Sequence, residues 1–153
     1  MRRVIIESPF AAPAGAWLPW LHRWRNKRYA RACVRHALLA GDAPLASHLL
    51  YPQRGILRDH DPAERQWGIY AGLEWLPVAD ASVVYIDRGI TNGMKCGIAA
   101  ARAAGVPVEY RAMWTSSILD FMAEHPDGRL NIREPGRSAA DKIIAGLKEK
   151  ARD

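Results

Sequence analysis

Residues 80–110 read DASVVYIDRGITNGMKCGIAAARAAGVPVEY, and this stretch decides the fold. Ser82 to Ile86 is a short apolar run rich in β-branched residues, as a buried strand requires. Gly89 and Gly93 mark a turn, a helix-forming segment follows to Ala104, and Gly105 separates it from a second apolar run, Val106 to Tyr110. A strand, a helix and a strand within about thirty residues is the length of a right-handed crossover between parallel strands. In such sheets ligands bind beyond the carboxyl ends of the strands, which places Asp87 to Met94 at a candidate site.

Upstream, Arg3 to Glu7 reads as the first strand, with Ser8, Pro9 and Phe10 at its carboxyl end. Residues 10–24 hold two prolines, a glycine and the tryptophans Trp17, Trp20 and Trp24, a composition expected to give an irregular flap. Its rings could act as a lid stacking on a base, or plug a core or a subunit interface. From Asn26 the pattern turns helical: Tyr29, Ala32, Cys33, His36, Ala37 and Ala40 form an apolar stripe, closed by Gly41, with His36 read as structural. Arg28, Arg31 and Arg35 occupy the complementary face.

A second strand is expected over Ala43 to Ser47. Asp61, Pro62 and Glu64 then start a helix to about Leu76: Asp caps free amides, Pro suits the first turn, and Glu can reach back. Downstream, helices are expected over 116–124 and 139–151, with a short strand over 130–132. Alternating strands and helices of this size predict one domain, 1–153, a three-layer α/β fold with a mostly parallel flavodoxin-like (Rossmann-like) sheet.

The chain has 153 residues and a net charge of +6. Residues 1–35 carry eight Arg or Lys against Glu7 alone, a sum of +7 that leaves −1 for the remainder. This basic end could attract phosphate-bearing ligands or nucleic acid, or be a solvated helix face. No apolar run approaches the roughly 20 residues that cross a bilayer, and the start MRRVIIESPF reads as a strand rather than a signal peptide. A cytoplasmic protein without a membrane partner is expected. Cys33 and Cys96, each at an apolar helix position, are expected as buried free thiols. Asp59, His60 and Asp61 lack a second ligand pair at metal spacing, so no metal is assigned, and no cofactor is called for.

Four pieces, ESPF, SHLLYP, LRDHDPAERQWGIYAGLEWL and ITNGMKCGIAAARAAGVPVEYR, together resemble small bacterial and phage proteins of the nucleoside 2-deoxyribosyltransferase-like superfamily. Typical members carry SPY, PHL, DP-x-ER and GM-x-x-E motifs. The resemblance covers about residues 3–111. It implies a nucleoside or nucleotide bound above the sheet in a homo-oligomer, and a glutamate that attacks the anomeric carbon. It matches Phe10 to the SPY tyrosine, and Glu74 to a carboxylate on the helix before the central strand. The nucleophile position is Gly97, which has nothing with which to attack.

Other carboxylates are therefore candidates for that role: Glu7, Glu74 and Asp87. Ser8, Phe10, His48, Thr91, Asn92, Gly93, Met94 and Gly97 are the candidate ligand-binding residues, with Tyr51 on the same rim. Thr91, Asn92 and Gly93 would offer helix-start amides to an anion such as a 5′-phosphate. Three functions follow: an N-glycosidic transferase or hydrolase, an inactive nucleotide sensor or sponge, or a nucleic-acid-associated protein using Arg28, Arg31 and Arg35 with the tryptophans.

Overall fold

The computed structural model describes residues 1–114, so the elements expected over 116–151 lie outside the described residues. The strands are β1 (Arg2–Glu7), β2 (Asp42–Leu45), β3 (Ala81–Tyr85) and β4 (Val108–Arg111). They form one all-parallel sheet in the order β2-β1-β3-β4. The helices are α1 (Pro19–Leu39), α2 (Ser47–Leu50), α3 (Pro62–Leu73) and α4 (Asn92–Ala103), with a 3-10 turn at Leu76–Val78. Among the described residues no helix is long and apolar enough to cross a membrane.

Strand alternation sorts the core into two faces. Val4, Ile6, Val83 and Tyr85 pack against Tyr29, Cys33 and Ala37 of α1. Ile5 meets Leu76 and Ala101, while Val84 and Ile86 meet Met94 and Ile98 of α4. Helices thus cover both sides of the sheet, the three-layer flavodoxin-like α/β arrangement. Pro44 sits on β2, at the edge of the sheet among the described residues, where proline is tolerated.

Among the boundaries that differ from expectation, β2 stops at Leu45 rather than Ser47, which opens α2 instead. Helix α1 begins at Pro19, seven residues before Asn26, because proline presets the first-turn backbone angle and the residues after it propagate the helix. Trp20 and Trp24 are therefore helical, and the irregular segment ends at Leu18. The buried stripe is Asn26, Tyr29, Ala30, Cys33 and Ala37, so Ala32 faces solvent. Gly41 ends the helix at φ 84°, as a left-handed position requires. His36 is structural, its Nδ1 lying 2.8 Å from the Tyr85 hydroxyl.

At α3, Asp61 accepts from the amides of Ala63 (2.9 Å) and Glu64 (3.3 Å). Glu64 reaches forward of the helix instead, to the Arg58 amide at 2.5 Å and the Arg58 Nε at 2.6 Å. A buried cluster ties three strands together. Arg111 Nη2 meets Asp42 Oδ2 at 2.8 Å and Glu109 Oε2 at 2.9 Å, while Arg2 bridges the same two acids. Arg2 above all, with Arg111, holds the Glu109 carboxyl down at about 2.

Candidate active site

Strand β1 ends on Glu7, and its alternation with Ile6 turns Glu7 to the α4 side of the sheet, level with Val84. Helix α4 crosses there with Gly97 facing the strand. A Cβ built on Gly97 would stand 2.3 Å from Glu7 Oε1, 2.6 Å from Cδ and 2.9 Å from Oε2. The Glu7 carboxylate thus stands in the space that a side chain at position 97 would need. Any residue other than glycine would expel it.

Among the described residues no hydrogen-bond donor or cation holds the Glu7 carboxylate. Removal from water without a compensating charge pushes its pKa up to about 7. Glu7 borders a cleft of about 880 Å³ at the carboxyl ends of β1 and β3. Two further acids line that cleft, and both are committed to arginines: Asp59 to Arg23 and Arg65, Glu64 to Arg58. Glu7 alone is an uncommitted acid of the cleft among the described residues.

Buried Ser8 places its hydroxyl 2.8 Å from His48 Nε2, on the short helix α2. Burial drives the His48 pKa down to about 4, so the imidazole is neutral near pH 7. The Phe10 ring meets His48 edge-on at 6.0 Å and lies beneath Arg23 and Lys27 at 5.5 and 5.6 Å. Asn26, the polar member of the α1 stripe, donates to the Phe10 and Ala11 carbonyls at 3.2 and 3.0 Å, pinning the cleft wall. At the opposite wall Thr91 caps α4, accepting from the Met94 amide at 3.4 Å.

The cleft brings together Glu7, Ser8, Phe10, His48, Thr91, Asn92, Gly93, Met94 and Gly97, with Tyr51 beside them. It does not bring in Glu74, which is exposed at the carboxyl end of α3. Nor does it bring in Asp87, which follows the same alternation as Tyr85 and points to the α1 side. There Asp87 accepts from the Tyr29 hydroxyl at 2.6 Å and from the amides of Met113 and Trp114 at 2.8 and 2.9 Å. Its three donors make it a structural anchor. Trp17, Trp20 and Trp24 do not line the cleft, and neither do Arg28, Arg31 and Arg35.

Sequence reasoning missed Asn26, His22, Arg88 and Cys96, all of which line the cleft. Asn26 was detectable as an amide in register with the buried stripe. Cys33 is a buried free thiol, but Cys96 is exposed at the cleft, because the register that buries Met94 and Ile98 turns position 96 outward.

The family described as Domain of unknown function (DUF7768) matches residues 2–111. No curated protein matches the chain. Among solved structures the chain is similar to a 2-deoxyribosyltransferase from the psychrotolerant bacterium Bacillus psychrosaccharolyticus, at 16% identity over 72% of each chain and a TM-score of 0.49.

Proposed function

The chain belongs to the DUF7768 family, whose description names no reaction, and we propose that it hydrolyses the N-glycosidic bond of a nucleoside or nucleotide held in the cleft. The observation that carries this reading is the position of the Glu7 carboxylate against Gly97. The four sequence pieces that resemble deoxyribosyltransferase relatives all contribute residues to the same cleft, which supports a nucleoside as its occupant.

Hydrolysis needs only a base that activates water, a role open to Glu7 as the uncommitted acid of the cleft. Its carboxyl carbon lies 2.6 Å from where a Cβ on position 97 would stand, so it fills the space of that absent side chain. A water between this carboxylate and the sugar is the nucleophile. Glu7 takes a proton from that water as the oxygen bonds the anomeric carbon. The carbon–nitrogen bond breaks, its electron pair leaves on the base nitrogen, and the base then gains a proton from solvent. A carboxyl with a pKa near 7 suits this exchange at neutral pH. With His48 Nε2 donating to its oxygen, the Ser8 hydroxyl donates to a sugar hydroxyl, and Phe10 flanks the pair.

The test is incubation with nucleosides and nucleoside monophosphates, followed by chromatography for free base. Base release by the wild type that falls by about a hundredfold in Glu7→Gln, with ligand-induced thermal stabilisation retained, is the expected result. A stabilising ligand recovered intact from the wild type overturns hydrolysis in favour of a sensor or sponge. Undiminished release by Glu7→Gln overturns the assigned base.

A further inference from the structure

Helix α1 has 21 residues and no aspartate or glutamate. Its buried stripe uses one side, and at 3.6 residues per turn Trp20, Trp24, Arg28, Arg31 and Arg35 fall together on the other. All five are exposed, and Trp17, just before the helix, is 92% exposed. Arg23 is held by Asp59, but Arg25, Lys27, Arg28, Arg31 and Arg35 meet no carboxylate among the described residues. The Arg28 guanidinium lies over the Trp24 ring at 4.9 Å, so cation and aromatic share one surface. None of these residues lines the cleft.

We propose that this ridge docks single-stranded nucleic acid, with Arg28, Arg31 and Arg35 on phosphates and Trp17, Trp20 and Trp24 stacking on bases. From Trp20 to Arg35 the ridge runs about 23 Å at 1.5 Å per residue, long enough for several nucleotides. With no acid on α1, Arg25, Lys27, Arg28, Arg31 and Arg35 stand unneutralised among the described residues and complementary to a polyanion. Three exposed indoles favour unpaired bases, whose faces are open to stacking, over a duplex.

An anionic membrane would also attract the cations, but a helix lying in a bilayer needs a continuous apolar face. The apolar stripe of α1 is used against the sheet. Between Trp24 and Leu38 the exposed side chains of this helix are Arg25, Arg28, Arg31, Ala32 and Arg35, with no large apolar group among them.

The experiment is fluorescence anisotropy of the full chain with a labelled oligodeoxythymidine of about twenty nucleotides, titrated at several salt concentrations. Affinity should fall linearly on a log–log plot with a slope of about −2 to −3, about 0.7 for each phosphate contact. The triple variant Arg28→Glu, Arg31→Glu, Arg35→Glu should flatten the slope by about 2. Trp20→Ala and Trp24→Ala should each weaken binding about tenfold and leave the slope alone. All five positions are exposed, so a urea midpoint matching the wild type certifies each variant as folded. No binding, binding indifferent to salt, or tighter binding to a duplex that ignores the tryptophan changes would overturn the proposal. So would binding to phosphatidylserine vesicles without binding to the oligonucleotide.

Discussion

Replacing Glu7 with glutamine should change how the stability of the fold depends on pH. In the unfolded chain the carboxyl titrates near 4.5, and in the folded protein near 7, because burial penalises its charged form. Below 4.5 both states hold the proton. Between these values the unfolded chain releases its proton while the folded protein keeps it, so the unfolded state binds fewer protons and wild-type stability falls as pH rises. Above 7 both are ionised and the loss is complete, at about 3 kcal/mol. Glutamine fills the same space without titrating. The stability of Glu7→Gln minus that of the wild type should therefore climb by about 3 kcal/mol from pH 4 to pH 8 and then level off. His48, shifted down by burial, contributes the opposite slope between about 4 and 6.5, but it does so in both proteins and cancels in the difference. Urea unfolding at half-unit pH steps, followed by the fluorescence of the six tryptophans, measures it. Curves that stay parallel from pH 4 to pH 8 would refute the burial of an unpaired carboxyl. A difference that falls as the pH rises would place a donor or a cation on the Glu7 carboxylate.

Gly97→Ala puts a methyl group 2.3 Å from Glu7 Oε1, and what must move is the free end of a side chain, not backbone. Helix propensity favours alanine by up to about 1 kcal/mol, so a fold of near-wild-type stability that has lost at least tenfold in base release is expected, read by urea unfolding and chromatography. Asp87→Ala strips three donors of their acceptor and should cost about 3 kcal/mol without altering the KM of any substrate found; steady-state kinetics beside a denaturation curve separates the two effects. Asp61→Ala removes the cap of α3 and should cost about 1 kcal/mol by the same unfolding measurement.

The strands and the crossover were legible because their signals are local. Val83, Val84 and Tyr85, followed by the Gly89 turn, leave little alternative to a buried strand, and Asp61-Pro62 states a helix start within two residues. The start of α1 was not legible from composition. Proline and clustered tryptophans are disfavoured in many helices, yet Pro19 at the first helical position stabilises the helix, and the sheet face that Tyr29, Cys33 and Ala37 cover lies outside any local window.

The site was legible to the extent that it depends on strand ends and illegible where it depends on parity. Glu7 and Asp87 both lie at the carboxyl edge of the sheet and look equivalent in sequence. Counting alternation from residues whose packing is known separates them. Glu7 follows Ile5, which meets Ala101 of α4, whereas Asp87 follows Tyr85, which packs with Cys33 of α1. One acid therefore faces the cleft and the other faces its back. The same count explains why Gly97 matters: α4 lies on the Glu7 side, so only Glu7 can enter the space that the glycine vacates. A strand carboxylate standing in that space demands a glycine opposite it, and the pair should change together. The double variant Glu7→Ser, Gly97→Glu tests that demand, since it places the carboxylate on the helix with room to stand. Base release recovered in the double variant and absent from Gly97→Glu alone would show that the two positions share one function. Equal activity in both would show that they do not.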